Sequence, residues 1–336
     1  MKDGIDKIIN VSSLADLSGY NIRRIVIAIG VFDGVHCGHQ LLLSKLIEMA
    51  RQKQAEPVAL TFYPHPREVI GSRPAPKLLI PPEKKVDLLH HYGVNAVVTV
   101  PFTREFSAMP PDQFIHNCLQ AENIELCGIC VGSDWRFGAN GTGNIKNLED
   151  FATQGHFDFT SVGELARDGE MISSTLIRRA VSAGLLDRAE AMLGWRYSLT
   201  GIVEPGHNIA TGELLCPTAN LNLKHGVLPP DGVYAARAFL AGKEYAGAVN
   251  IGISPTYNRL SDRNRRIEVH LIDFNKDIYG QQLELELVSY LRAERSYPSY
   301  LELKKQIAKD VARVREELGI TNYELGITNY ELGEAK

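Results

Sequence analysis

The run Ile25-Val26-Ile27-Ala28-Ile29 limits most strongly what this chain can fold into. Five successive apolar residues suit a strand covered on both faces, as in the interior of a parallel sheet. Gly30, Gly34 and Gly38 interrupt the run, and beyond them Leu42, Leu43, Leu46, Ile47 and Met49 recur at helical spacing. Strand, glycine turn and helix in that order predict one unit of an α/β fold, with the helix opening near Cys37 or Gly38. The first N–H groups of such a helix lack partners, and its dipole places partial positive charge there. The turn is therefore a seat for phosphate. His36 and His39 stand at that seat, where each imidazole can donate a hydrogen bond to a phosphate oxygen as negative charge develops. Gly38 would let a nucleotide approach the backbone. A bare His-x-Gly-His pattern also fits a solvated strand–helix junction.

The alternation continues, with strands expected at 57–62, 96–100, 126–131 and near 157–162, and helices at 82–92, 110–120 and 185–193. That order predicts a doubly wound parallel sheet. Tyr63-Pro64-His65-Pro66 follows one strand, and the two prolines hold His65 on a rigid loop at the strand's C-terminal end. Ligands of open α/β sheets bind at that edge. Asp134, Trp135, Arg136 and Phe137 crowd together after another strand. Rings, a guanidinium and a carboxylate suit a flat heteroaromatic ligand bearing phosphate. Ser173, Ser174 and Thr175 precede a helix carrying Arg178, which predicts an N-cap and a second anion site.

Near Trp195 the pattern changes. Six short strands at 198–203, 219–223, 233–240, 244–251, 266–273 and 282–290 predict an antiparallel barrel, closed by an amphipathic helix at 300–318. Thr218 and Asn220 in Pro217-Thr218-Ala219-Asn220 offer hard oxygen donors for Mg²⁺ and phosphate. Asn250-Ile251-Gly252 with Ser254-Pro255-Thr256 reads as a turn near the same rim. Glu268 and His270 share one face of a strand whose other face is Ile267, Val269 and Leu271. A carboxylate placed like Glu268 can take a proton from a primary alcohol.

The length of 336 residues admits about two domains. A formal net charge of −4 without a long basic run speaks against nucleic acid as a partner. No apolar run reaches the roughly 18 residues of a membrane span, and MKDGIDKIINVSS has no apolar signal core. The cysteines at 37, 118, 127, 130 and 216 are odd in number and form no disulfide pattern, so a cytoplasmic location is expected. Cys127 and Cys130 lie three apart on an expected strand and point to opposite faces, which favours a structural role over metal binding.

Taken in order, GVFDGVHCGH, TFYPHP, GSDWRFG and SSTLIR resemble the adenylyltransferase module of the bifunctional riboflavin kinase/FAD synthetase family. PTAN, GVYAA, NIG with PT, EVHLIDF with DIYG, and LRAE resemble its kinase module, and the resemblance spans about residues 20 to 315. It implies ATP, riboflavin and FMN as substrates and Mg²⁺ as cofactor. The implied domains are residues 1–196 for FMN adenylylation and 197–318 for riboflavin phosphorylation, followed by a tail at 319–336. In the first, His36 and His39 would stabilise charge, and Gly30, Phe32, Asp33, Gly38, Ser173, Ser174, Thr175 and Arg178 would bind the nucleotide and its phosphates. Phe62, His65, Asp134, Arg136 and Phe137 would surround the flavin. In the second, Thr218 and Asn220 would hold Mg²⁺–ATP, and Glu268 would be general base on the ribityl hydroxyl.

The chain also departs from the family pattern. Gly141 and Asn144 stand where Arg and Asp are usual, Thr211–Cys216 replaces a Gly-Arg-x-x-Gly-Phe loop, and Ser254 replaces an arginine. Arg237, Arg265 or Arg266 could stand in for the missing guanidinium. The alternative reading is an FMN adenylyltransferase whose barrel binds flavin without phosphorylating it. ELGITNY occurs at 317–323 and again at 324–330. Its glycine and β-branched residues are poor for helix, so the repeat is expected to be a mobile, non-catalytic terminus.

Overall fold

The structure is a computed structural model that describes residues 8–71, 74–205, 219–253 and 265–320. The chain splits into two compact units, Met1–Arg178 with Ala191–Gly194, and Arg179–Glu190 with Trp195–Lys336.

In the first unit the continuous apolar run forms β2 (Arg24–Ile29), with Ile25 to Ile29 all buried. The other strands are β1 (Ile9–Val11), β3 (Glu56–Tyr63), β4 (Ala96–Pro101), β5 (Glu125–Gly132) and β6 (Asp158–Val162). They lie in the order β1-β4-β3-β2-β5-β6, every neighbouring pair parallel. Helices fill the crossovers: α1 (Cys37–Lys53), α2 (Pro66–Ile70), α3 (Pro82–His91), α4 (Arg104–Ser107), α5 (Pro111–Leu119) and α6 (Ile145–Gly155). Two more, α7 (Ser174–Ser182) and α8 (Leu186–Leu193), follow β6 and are divided between the two units. From β2 the chain winds outward through β3 and β4 on one side, and through β5 and β6 on the other. The C-terminal ends of β2 and β5 therefore flank a topological switch point, where such sheets bind ligands.

Ile25, Ile27, Ile29, Leu60, Val98, Ile129 and Val131 pack with Phe62, Phe102 and Phe114 in one core. Cys127 and Cys130 are free thiols buried in β5, and burial pushes Cys130 up to about 12. Three features differ from the sequence expectation or add to it. The edge strand β1 has only three residues in a polar context, too short to show periodicity. A two-residue hairpin, β7 (Ala166–Arg167) with β8 (Glu170–Met171), turns at Asp168-Gly169, both at positive φ. His65 is not confined to an irregular loop: its Nδ1 accepts from the Arg67 N–H at 3.1 Å and caps α2. Pro66 sits in the first turn, where its missing N–H costs nothing.

In the second unit β9 (Ser198–Glu204), β10 (Ala219–Asn222), β11 (Gly232–Leu240), β12 (Lys243–Ile253), β13 (Arg265–Leu271) and β14 (Gln282–Arg292) form a closed barrel. Their order is β10-β13-β12-β11-β14-β9, antiparallel throughout. Closure leaves no unpaired edge. β12 runs through Asn250-Ile251-Gly252, because Val249 and Ile251 continue the inward alternation, and Ser254-Pro255-Thr256, the rest of the expected turn, lies outside the described residues. α9 (Tyr300–Glu317) packs Val311 and Val314 on Val233, Ala235, Ala246 and Leu291. Arg292 Nε donates to both Asp310 oxygens at 3.0 and 3.1 Å, and its terminal nitrogen donates again at 2.7 Å. Asp310 is buried, so this clamp fixes the helix on β14. Thr218, the loop 211–216, Ser254 and residues 321–336 lie outside the described residues.

Candidate active sites

The first site is built on the turn between β2 and α1. Gly30 continues the strand, its N–H donating to the Leu60 carbonyl at 3.1 Å. Phe32 and Val35 then take φ of 54° and 36°, left-handed values that are costly for such side chains. Gln40 holds the strained segment, its amide donating to the Val35 carbonyl at 2.9 Å and to the Leu193 carbonyl at 2.6 Å. Phe32 is fully buried and meets His39 edge-on at 5.2 Å, so its ring supports the turn from below.

His36 is the N-cap of α1, its Nδ1 accepting from the His39 N–H at 3.4 Å. That bond assigns the His36 proton to Nε2. The two imidazoles stack with centroids 3.7 Å apart and planes 18° from parallel. A Cβ on Gly38 would come within 3.2 Å of the His36 ring, so this glycine is what allows the ring to fold back over the helix start. Burial lowers His36 to about 4, and Arg178 adds to the shift. Burial likewise holds His39 well below its ordinary value, with His36 and Lys85 adding to the effect. Both rings are neutral at pH 7 and act as N–H donors without the cost of a buried cation.

Asp33 ties this turn to the serine-rich helix. Its carboxylate pairs with Arg178 and accepts from the Leu79 N–H at 2.9 Å. Burial raises the Asp33 pKa, and Arg178, the Leu79 N–H and Lys85 oppose that shift. Ser174 donates to the Asp33 carbonyl at 2.9 Å, and Ser173 Oγ accepts from the Leu176 N–H at 3.2 Å as the expected cap of α7. Thr175 is exposed in the first turn. Gly30, Phe32, Asp33, His36, Gly38, His39, Ser173, Ser174, Thr175 and Arg178 thus lie on two helix starts joined by one ion pair.

The residues expected around a flavin divide into groups. His65 and Phe62 line a cleft with Asp33, Tyr63 and Lys85, and burial lowers His65 to about 4. Trp135 stacks on Phe62 with centroids 6.1 Å apart and planes 12° from parallel. Asp134 and Arg136 are exposed beside it, while Phe137 is buried against Phe114 in the core. Asn144, at a departure from the family pattern, caps α6 by accepting from the Lys146 N–H at 2.9 Å.

The second site is a row across three barrel strands. Glu268 on β13 is directly opposite Asn220 on β10 and Asn250 on β12. Opposed residues of an antiparallel ladder have Cβ atoms about 5 Å apart, so the three side chains lie abreast. Ile267, Val269 and Leu271 fill the barrel interior behind them. Asn250 donates to Glu294 Oε1 at 3.3 Å, whereas its buried Oδ1 has no partner among the described residues. Gly252 makes room for Glu294, since a Cβ there would lie 2.3 Å from Oε2. Two candidate substitutes for the missing guanidinium are engaged elsewhere: Arg265 pairs with Asp231 at 2.6 Å and Arg237 with Glu244 at 3.1 Å.

Comparison with known proteins decides the family. A family model for FAD synthetase matches residues 20–176, and one for riboflavin kinase matches residues 193–318. A bifunctional riboflavin kinase/FMN adenylyltransferase of Bacillus subtilis (strain 168) is 35% identical over 288 residues, which cover 85% of this chain and 90% of that one. The chain belongs to the bifunctional riboflavin kinase/FMN adenylyltransferase family. A member of that family from Escherichia coli (strain K12) is 35% identical over 297 residues, or 88% of this chain and 93% of its own. A crystal structure described as a macrolide-efflux protein from Streptococcus pneumoniae matches with a TM-score of 0.75 at 25% identity, over 92% of this chain and 99% of that chain. Among the described residues of this family member, no helix is long and apolar enough to cross a membrane.

Sequence reasoning passed over Gln40 and Lys85, and it did not place Asn250 and Glu294 beside Glu268. Only helical phase marks Lys85, one turn before the buried Leu89. Asn250 and Glu294 are brought together by strand register, which a sequence alone does not reveal.

Proposed function

We propose that the chain phosphorylates riboflavin to FMN with ATP and then adenylylates FMN to FAD with release of pyrophosphate. The observation that carries this reading is the presence of two family matches on one chain, at 20–176 and 193–318. Residues 1–196 are assigned the adenylyltransferase and 197–318 the kinase. In the first, an FMN phosphate oxygen attacks the α-phosphorus of ATP and the bond to the β-phosphate oxygen breaks. The neutral His36 and His39 donate to oxygens that gain charge, and the starts of α1 and α7 with Arg178 hold phosphates. Phe62, Trp135 and His65 border the flavin, with Asp134 and Arg136 at its exposed edge.

In the kinase site Glu268 takes the proton of the ribityl hydroxyl as its oxygen attacks the γ-phosphorus. The Asn220 side-chain carbonyl and the orphaned Oδ1 of Asn250 are hard oxygens, donors that fit Mg²⁺. Asn220, together with Thr218, is assigned to hold Mg²⁺–ATP, and the cation would neutralise charge on the transferring phosphate. Free thiols and dependence on ATP favour the cytoplasm as the place of both reactions.

A second reading, adenylylation alone, is favoured by one observation: the sequence at 211–216 and 254 lacks the family's arginines, and Arg237 and Arg265 are already paired. Glu268→Gln and His36→Asn separate the readings when riboflavin and FMN are supplied in turn. Two working sites predict that the first variant loses only FMN formation and the second only FAD formation. A wild-type chain that makes FAD from FMN but nothing from riboflavin establishes the second reading.

A further inference from the structure

Lys85 is 7% exposed on α3, yet among the described residues no carboxylate is hydrogen-bonded to it. Its ammonium donates to Thr61 Oγ1 at 3.0 Å and reaches the Val31 carbonyl at 3.4 Å. The Val31 carbonyl already accepts from Thr61 Oγ1 at 3.1 Å, and the hydroxyl and the carbonyl are both neutral, so neither balances the ammonium charge. Among the described residues the carboxylate that acts on its charge is Asp33, which is occupied by Arg178 and the Leu79 N–H. Two cations therefore share one anion behind the turn. The imidazoles that feel Lys85, those of His39 and His65, are held neutral, in part by Lys85 itself. The Lys85 charge is thus buried without an ion-pair partner among the described residues, an arrangement that a bound anion would offset.

We infer that Lys85 is a positioning residue of adenylyl transfer, holding behind the β2–α1 turn a positive charge that the phosphates of the bound substrate balance. The ligand class is a polyphosphate or phosphomonoester entering the cleft lined by Asp33, Phe62, His65 and Lys85. The α1 N-terminus adds positive potential of the same sign from the other end of the turn. A Lys at this place is more useful than Met because its stem fills the same space and its head carries the charge.

The inference rests on the adenylyltransferase reading, and its test separates the two. Full-length wild type, Lys85→Met and Lys85→Arg are compared for FAD formation from FMN and ATP, for FMN formation from riboflavin, and for pyrophosphate affinity by calorimetry. Lys85→Met is expected to lower kcat/KM for adenylylation by about 100-fold, weaken pyrophosphate binding and leave riboflavin phosphorylation unchanged. Lys85→Arg restores most of the loss. Burial lowers Lys85 to about 8, so wild-type adenylylation should decline on its alkaline limb while Lys85→Arg holds its rate there. Unchanged adenylylation and pyrophosphate affinity in Lys85→Met would overturn the inference. So would equal losses in both variants, or superimposable alkaline limbs, the comparison that stands if Lys85→Met does not fold. Absence of FAD from wild type contradicts the functional reading instead, and pyrophosphate affinity then decides the role of Lys85.

Discussion

His36 and His39 lie face to face, 3.7 Å between ring centroids, because Gly38 between them has no Cβ to hold the His36 ring away. Two stacked imidazoles at that distance cannot both be protonated at low cost, so they serve as a pair of neutral donors. His36→Asn retains an N-cap and removes one ring. FAD formation from FMN should fall about 10²- to 10³-fold, as for loss of one preorganised donor, with FMN formation from riboflavin unaffected. Steady-state rates with each flavin measure both, and an undiminished adenylylation rate would remove His36 from the mechanism.

The same burial makes the first unit acid-sensitive. His36 titrates near 4 when folded and near 6.5 when unfolded. Below 6.5 the unfolded chain binds a proton that the folded chain refuses. The His36 contribution is therefore fully present above pH 6.5 and is lost as the pH falls toward 4, on the order of 3 kcal/mol in all. Urea midpoints at pH 7.5 and pH 5 should differ in wild type and differ less in His36→Asn, with His39 and His65 supplying the remainder. Equal pH dependence in the two proteins would show that the ring is solvated.

Asp33 and Arg178 form a buried pair whose halves are not equally dispensable. Arg178→Met leaves the Asp33 carboxylate buried with the Leu79 N–H as its close hydrogen-bond donor. The loss should be about 3–5 kcal/mol. Adding Asp33→Asn should return part of that stability without returning adenylylation. Thermal melts of the single and double variants read the coupling, and strictly additive losses would mean that the two side chains do not interact.

Gly252 and Glu294 make a comparable pair in the barrel. Gly252→Ala places a Cβ where Glu294 Oε2 now lies, 2.3 Å away. Glu294 is flexible and moves aside, so the melting temperature should change little. Asn250 loses its partner beside Glu268, and riboflavin phosphorylation should fall at least about 10-fold. A kinase rate equal to wild type would show that Glu294 does not position the Asn250 amide.

Much of this architecture is legible in the amino-acid order, for local reasons. Ile25–Ile29 is too continuously apolar for an exposed strand, and Ile267-Glu268-Val269-His270-Leu271 alternates so regularly that its buried face is explicit. Where Pro66 lies, the same residue that ends a strand begins a helix, and only the His65 side-chain bond to the Arg67 N–H decides between loop and cap. At Asn250-Gly252 the polar and glycine residues suggest a turn, but pairing with β13 carries the strand through. Lys85 illustrates what stays hidden: in PEKKVDLL it looks like half of a solvated lysine pair, and only tertiary packing buries it.

The central claim is that one chain carries both steps. Purified full-length protein incubated with riboflavin, ATP and Mg²⁺, with flavins separated by chromatography over time, tests it most directly. The account predicts FMN first and FAD after a lag, with pyrophosphate appearing in step with FAD. Riboflavin left unconverted, while supplied FMN is still turned into FAD, would contradict it.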